Sequence, residues 1–233
     1  MTDKFAVIGL GQFGSAICRK LSEKGADVLA IDIDEDKVES IKNRVAYSVR
    51  MDATDLESLR AQKVQDMDAV VVSIGQNFEG TMLTVAQLME LNVKRIIARA
   101  HGKTQRSILK KLANSEVEGV DMHVEILSPE EEVGNNIAER LMHPSFKMCI
   151  ELPDDYEIVE VEAPKLTIGR TIKDIDFPNK YQLNLVTLIE KGDDGNLAHV
   201  KHETSGDTII EECDELVVFG KIKDVERFID ING

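Results

Sequence analysis

The ten residues Phe5–Gly14, FAVIGLGQFG, decide the fold. An apolar run, Phe5–Ile8, passes directly into Gly9-x-Gly11-x-x-Gly14, and an amphipathic pattern with Ala16, Ile17 and Leu21 on one face follows. Strand, glycine turn and helix in that order make a dinucleotide-binding unit. Gly9 allows the tight turn, Gly11 lets a phosphate approach the backbone, and Gly14 lets the helix pack close to the strand. The free amides at the helix N-terminus then face the phosphates. A second apolar run, Val28–Ile31, ends in Asp32, 18 residues after Gly14, where a carboxylate can accept hydrogen bonds from ribose hydroxyls. The same residues could serve only as a turn and as a helix cap before Glu35. Strand context at both ends favours a bound adenine nucleotide.

Outward from this unit, strands and helices alternate. Strands are predicted over Phe5–Ile8, Val28–Ile31, Tyr47–Val49, Ala69–Ser73, Arg95–Arg99 and Val120–Ile126, and helices over Phe13–Lys24, Asp36–Asn43, Asp55–Gln62, Phe78–Leu91 and Thr104–Ala113. Apolar β-rich runs separated by amphipathic helices imply an α/β fold, a Rossmann-like doubly wound parallel sheet covered on both faces. Ligands of such sheets bind at the carboxyl ends of the strands. That places Gly9–Gly14, Asp32, the Asp52-Ala53-Thr54 turn, Ser73-Ile74-Gly75 and Arg99 around one crevice.

Ser128-Pro129-Glu130-Glu131 reads as the start of a further helix reaching Met142, with serine as N-cap, proline at the first position and Glu131 completing a capping box. His143-Pro144 ends it. Beyond Cys149 the pattern changes: Glu157–Glu162 alternates strictly, and Leu183–Ile189 and Leu216–Phe219 read as strands, with polar turns at Lys191–Asn196 and Glu211–Asp214. The expected organisation is a nucleotide-binding domain over 1–127, a linker helix over 128–146 and a small α+β domain over 147–233. Between Phe78 and Leu91, one stripe (Phe78, Met82, Val85, Met89) and further leucines (Leu83, Leu88, Leu91) make a helix apolar almost all round. Its second face meets either another subunit or a deeper core.

Charge and composition narrow the function. The net charge is −15, and residues 145–233 carry 20 acidic against 10 basic side chains. Such a surface repels nucleic acid and anionic lipid, and no basic cluster with interleaved aromatics offsets it. No apolar run approaches the ~20 residues of a membrane span, and no signal-peptide pattern opens the chain. Three isolated cysteines, Cys18, Cys149 and Cys213, fit a reducing cytosol. A binding module is favoured over catalysis, since there is no nucleophile elbow and no Walker lysine, with a small NAD-dependent oxidoreductase or a regulator of a different cation transporter or antiporter as the alternative readings. His199 and His202 read as surface histidines, His101 as a loop residue near the strand ends, and Cys18 as a small core residue.

VIGLGQFG, AIDIDEDKV, VVSIGQN, the SPEEEVG helix and the closing GDTIIEECDELVVFG together resemble, in order and spacing from residue 4 to 229, the RCK (KTN) regulatory subunits of bacterial potassium uptake systems, the KtrA/TrkA family. The resemblance implies a nucleotide-binding domain for ATP, ADP or NAD(H), a crossover helix and a smaller C-terminal domain. It further implies a homodimer assembling into a cytoplasmic ring, an octamer, that docks on an integral-membrane potassium-translocating subunit of the KtrB/TrkH type. Carried over by motif, Gly9, Leu10, Gly11, Gln12, Phe13 and Gly14 wrap the phosphates, and Asp32 holds the ribose with Asp34 and Lys37 nearby. Asp52, Ala53, Thr54, Ser73, Ile74 and Gly75 line the adenosine side, and Arg99 reaches the phosphates. Glu130 matches a residue that helps bind a divalent cation, Mg2+ or Ca2+, at the dimer interface. It equally suits the first turn of a helix. Two departures stand out. Gln12 replaces an arginine found in many members, and Pro178 stands where cyclic di-AMP binders carry a basic residue, so no cyclic di-AMP binding is expected.

Overall fold

The computed structural model describes residues 2–114, 122–191, 198–201 and 204–233. It divides into two compact units, Met1–Glu131 and Glu132–Gly233. In the first, β1 (Lys4–Ile8), α1 (Gln12–Glu23), β2 (Asp27–Asp32), α2 (Glu35–Ile41), β3 (Tyr47–Arg50), α3 (Leu56–Ala61), β4 (Ala69–Val72), α4 (Phe78–Glu90), β5 (Arg95–Arg99), α5 (Lys103–Ala113) and β6 (His123–Leu127) alternate along the chain. The strands form one parallel sheet in the order β3-β2-β1-β4-β5-β6. Residues 120 and 121 of the expected last strand lie outside the described residues; the strand itself runs from His123.

The physical cause of this order is legible in burial. Ala6, Val7 and Ile8 of β1 and all four residues of β4 are buried, because helices cover both faces of the central strands. One face packs against Leu59, Val85, Leu88 and Leu109, the other against Cys18, Val38 and Ile41. The strand order reverses between β1 and β4, so their following loops part and open a crevice at the carboxyl ends. The apolar residues of α4 are largely consumed by this core: Val85, Leu88, Met89 and Leu91 are buried, while Phe78 and Leu83 are exposed.

The second unit takes in most of α6 (Pro129–Met142), followed by β7 (Phe146–Glu151), β8 (Tyr156–Glu162), α7 (Ile172–Ile175), β9 (Asn184–Lys191), β10 (Ala198–Val200), β11 (Asp214–Lys221) and α8 (Ile222–Asn232). Its sheet is antiparallel, in the order β10-β9-β11-β8-β7. The alternation in β8 sends Val159 and Val161 into a core shared with Leu216, Val218, Phe177 and the α8 residues Val225 and Phe228. Tyr181 meets Phe228 edge-on at 4.9 Å. The expected polar turn at 191–196 lies, beyond Lys191, outside the described residues, as does His202. His199 is exposed in β10, opposite Glu190 of β9.

Candidate functional site

The glycine loop owes its shape to three different constraints. Gly9 has φ +95°, and a Cβ there would lie 2.8 Å from the Ile74 amide nitrogen and 2.9 Å from the Ser73 carbonyl carbon. Only glycine takes that conformation in that space without strain. A Cβ on Gly14 would overlap the Gly9 carbonyl oxygen and the Ser73 hydroxyl, so α1 starts packed against the loops that follow β1 and β4. Gly11 differs: a Cβ there would meet nothing within 4 Å. It is the N-cap of α1 and carries no side chain to cap it, which leaves the first amides of the helix open to an acceptor.

Two side chains lock the loop. The Ser73 hydroxyl donates to the Gly9 carbonyl at 2.6 Å, and the Gly9 amide donates to the Ile31 carbonyl at 2.8 Å. Asp32, 8 % exposed, accepts the Leu10 amide at 2.6 Å through Oδ2 and the Asp34 amide at 2.9 Å through Oδ1. A carboxylate offers about four acceptor positions, so these two bonds leave room for hydroxyl donors. Lys37 Nζ lies 3.6 Å from Asp32 and 3.8 Å from Asp34. Asp34 accepts the Asp36 amide as the N-cap of α2.

Around this loop opens a cleft of about 580 Å³. Of the residues expected at the site, it brings together Gly9, Gly11, Asp32, Lys37, Asp52, Ala53, Thr54, Ser73, Ile74, Gly75 and Arg99. Asp52 and Thr54 hold their own turn: Asp52 Oδ1 accepts both the amide (2.9 Å) and the hydroxyl (2.7 Å) of Thr54. Leu10, Gln12, Phe13, Gly14 and Asp34 do not line the cleft. Leu10 is buried with its amide on Asp32, Gly14 is packed under the loop, and the Phe13 ring lies 5.4 Å from the Arg99 guanidinium. The start of α4 also forms a wall, through Asn77, Glu79, Gly80, Leu83 and Thr84, which the sequence reading did not name. The signal for it was present: Asn77, five residues beyond the end of β4, caps α4 by accepting the Gly80 amide. Exposed Ile33, immediately after Asp32, is a further wall residue missed.

Arg99, at the end of β5, hydrogen-bonds Glu130, and its Nε is buried with no acceptor among the described residues. Desolvation pushes the Glu130 carboxyl up, but the Arg99 hydrogen bond, the Glu130 backbone amide and the charges of Arg99 and His101 outweigh it. The pKa therefore lies below the ordinary glutamate value. Among the described residues no group of three or more His, Cys, Asp and Glu side chains could hold a metal ion. The Mg2+ or Ca2+ expectation rests on Glu130 at an interface between two copies; within one protomer its side chain meets Arg99 and lies 4.0 Å from His101 Nδ1. The cleft fits the phosphates and ribose of a nucleotide: an open cradle at Gly11, uncapped helix amides, a buried carboxylate at the end of β2 and an arginine Nε without an acceptor among the described residues are what these groups require.

Residues 5–119 match the family model of the TrkA-N domain and residues 156–233 that of the TrkA-C domain. The chain is 34% identical over 228 residues to Ktr system potassium uptake protein C of Bacillus subtilis (strain 168), covering 98% of this chain and 96% of that protein. It is 32% identical over 225 residues to Ktr system potassium uptake protein A of the same organism, with 97% and 95% covered. Among solved structures, the GsuK RCK domain superposes with a TM-score of 0.65 at 13% identity, covering 100% of this chain and 48% of that one, a likeness of fold. With both domain matches and near full-length kinship, the chain belongs to the Ktr/Trk family of potassium uptake proteins, a TrkA-N domain followed by a TrkA-C domain.

Proposed function

We propose that the chain is a regulatory, non-catalytic subunit of a potassium uptake system, and that an adenine nucleotide in the Gly9–Asp32 cleft sets its state. The observation that carries this reading is the cleft itself: a glycine cradle open only at Gly11, backed by Asp32 and walled by Arg99. The phosphates lie on the α1 amides beside Gly11, with Lys37 and Arg99 as the cations in reach. Asp32 accepts the ribose hydroxyls, and Asp52, Ala53, Thr54, Ser73, Ile74 and Gly75 enclose the adenosine. A 2′-phosphate would meet the buried Asp32 carboxylate, so ATP, ADP or NAD(H) suits the site and NADP(H) does not. Gln12 brings no charge, which leaves Arg99 to sense the outermost phosphate.

The partner is an integral-membrane potassium-translocating subunit. Among the described residues no helix is long and apolar enough to cross a membrane. In this reading, copies of the chain form dimers and then a cytoplasmic ring on the inner face of the membrane. Nucleotide exchange alters the ring's shape, and α6 is the pivot. Two nucleotides can switch the assembly only if they favour different shapes. Inverting a 1:99 population takes a differential affinity of about 5.5 kcal/mol. Small-angle scattering on the nucleotide-stripped protein tests this. Oligomeric profiles that differ between ATP and ADP support it, and one unchanging monomeric profile with every nucleotide refutes it.

A further inference from the structure

Phe13 is a large apolar side chain with no place in the core. Ile17, Cys18 and Leu21 of the same helix pack into the cluster that covers one face of the sheet, whereas the half-buried Phe13 joins neither apolar cluster of the first unit. What its ring meets is a cation: the Arg99 guanidinium stands over it, 5.4 Å from the ring centre. Taking the cleft as a nucleotide site, we propose that Phe13 is a positioning residue, whose ring holds Arg99 at the phosphate end of the cleft and so sets a preference for nucleotides with more than one phosphate.

Strand order is what makes a holder necessary. Arg99 ends β5, and β4 lies between β5 and β1. Neighbouring strands are about 4.8 Å apart, so roughly 10 Å separate β5 from the strand that feeds α1. The Arg99 side chain has to cross the end of β4 to bring its charge to the first turn of α1, where Phe13 sits next to the uncapped amides. A long side chain left in solvent samples many rotamers, and selecting one costs entropy. Two partners select it here. The face of an aromatic ring attracts a guanidinium within about 6 Å of its centre, and Glu130, in the first turn of α6, accepts a hydrogen bond from the same group.

Arg99 lines the cleft and Phe13 does not, so the ring acts through the arginine and not on the ligand. Of the two cations that line the cleft, Lys37 lies within 4 Å of both Asp32 and Asp34, at the ribose end. Gln12, beside Phe13, carries no charge. Arg99 is therefore the cation that an added phosphate can use, and its usefulness depends on where the ring keeps it.

The test uses the full, nucleotide-stripped chain, titrated with AMP and ADP by calorimetry. Phe13→Leu keeps an apolar side chain but removes the ring face, and Phe13→Tyr restores it. The ring lies outside both cores, so neither variant threatens the fold. The parent prefers ADP to AMP, Phe13→Leu loses about three- to tenfold of that preference, and Phe13→Tyr regains it. A double-mutant cycle with Arg99→Gln assigns the effect: once Arg99 is gone, Phe13→Leu changes the preference no further. A second readout needs no ligand. Loosening Arg99 weakens its hold on Glu130, so the Glu130 carboxyl, followed by NMR, titrates at higher pH in Phe13→Leu than in the parent. The proposal is overturned if the parent binds AMP and ADP without preference, if Phe13→Leu leaves the preference intact, if its effect persists without Arg99, or if Glu130 titrates unchanged. Binding of neither nucleotide by the parent refutes the nucleotide reading itself, and this role with it.

Discussion

Replacing Gly14 by alanine sets two effects of opposite sign against each other. Gly14 is the third residue of α1, and helix propensity alone makes alanine there more favourable by about 1 kcal/mol. Sterics oppose it. The added Cβ falls inside contact distance of the Gly9 carbonyl oxygen and the Ser73 hydroxyl, and 3.1 Å from the Gly9 carbonyl carbon. These atoms are clamped: Ser73 Oγ donates to the Gly9 carbonyl at 2.6 Å, the Ser73 amide to the Ile8 carbonyl at 2.7 Å, and the Gly9 amide to Ile31 at 2.8 Å. Overpacking against a well-packed core costs about 1–3 kcal/mol, and an unyielding backbone puts this case at the upper end. The net expectation is a loss of about 2 kcal/mol, or a melting point lower by about 4–8 °C for a chain of this size. Gly134→Ala on α6 is the control, since its Cβ meets nothing within 4 Å and only propensity acts, raising stability slightly. Scanning calorimetry of both variants decides. If Gly14→Ala melts as high as Gly134→Ala, the close approach of α1 to the loops that follow β1 and β4 is not what holds the glycine loop.

Further expectations concern titrating groups. Burial, partly offset by Arg19, pushes the Cys18 thiol up to about 12, so it carries almost no thiolate at neutral pH. Iodoacetamide labelling followed by mass spectrometry should modify exposed Cys213 and spare Cys18; comparable labelling of the two would refute this placement. Arg99→Ala leaves desolvation as the main influence on Glu130, so its pKa, followed by carboxyl NMR, should rise. Because the folded value is depressed, the Arg99–Glu130 pair stabilises above the ordinary value of 4.5 and is lost as pH falls through the lower folded value. Glu160 behaves oppositely: desolvation, then a hydrogen bond and repulsion from Glu215, raise its pKa against the pull of Lys147. An acid raised in the folded state destabilises as pH climbs through its unfolded value, so Glu160→Gln should stabilise at pH 7 and lose that advantage near pH 4 in denaturant titrations. A variant less stable than the parent at pH 7 would contradict this.

The nucleotide-binding half was legible because its signals are local. Gly9, Gly11 and Gly14 stand at fixed spacing directly after β1, and Asp32 closes the second strand 18 residues on, although the atoms that exclude a side chain at Gly9 and Gly14 include the distant Ser73 and Ile74. Helices and strands of that half fall within one or two residues of their expected bounds, except that β6 starts at His123, three residues after the expected Val120. Roles carried by long-range packing were harder to read. Of the apolar residues of α4, Val85, Leu88 and Met89 are buried in the core while Phe78 and Leu83 stay exposed, and the first turns of the helix wall the cleft. In the second unit the structure adds β7 and α8 to the expected elements, although Ile222, Val225, Phe228 and Ile229 of α8 repeat with helical spacing. β8 was readable because one face is buried and its residues alternate, whereas β7 and β10 show no such strict pattern.

Calorimetric titration of the nucleotide-stripped chain and of Gly11→Asn with ATP, ADP and NADH tests the central claim most directly. Asparagine at an extended N-cap suits the helix and meets no protein atom at Cβ, yet it fills the cradle and caps the amides that phosphates would use. The account predicts stoichiometric binding by the parent chain and its loss in the variant, with an unchanged melting point. Equal binding by both, or none by the parent, would contradict it.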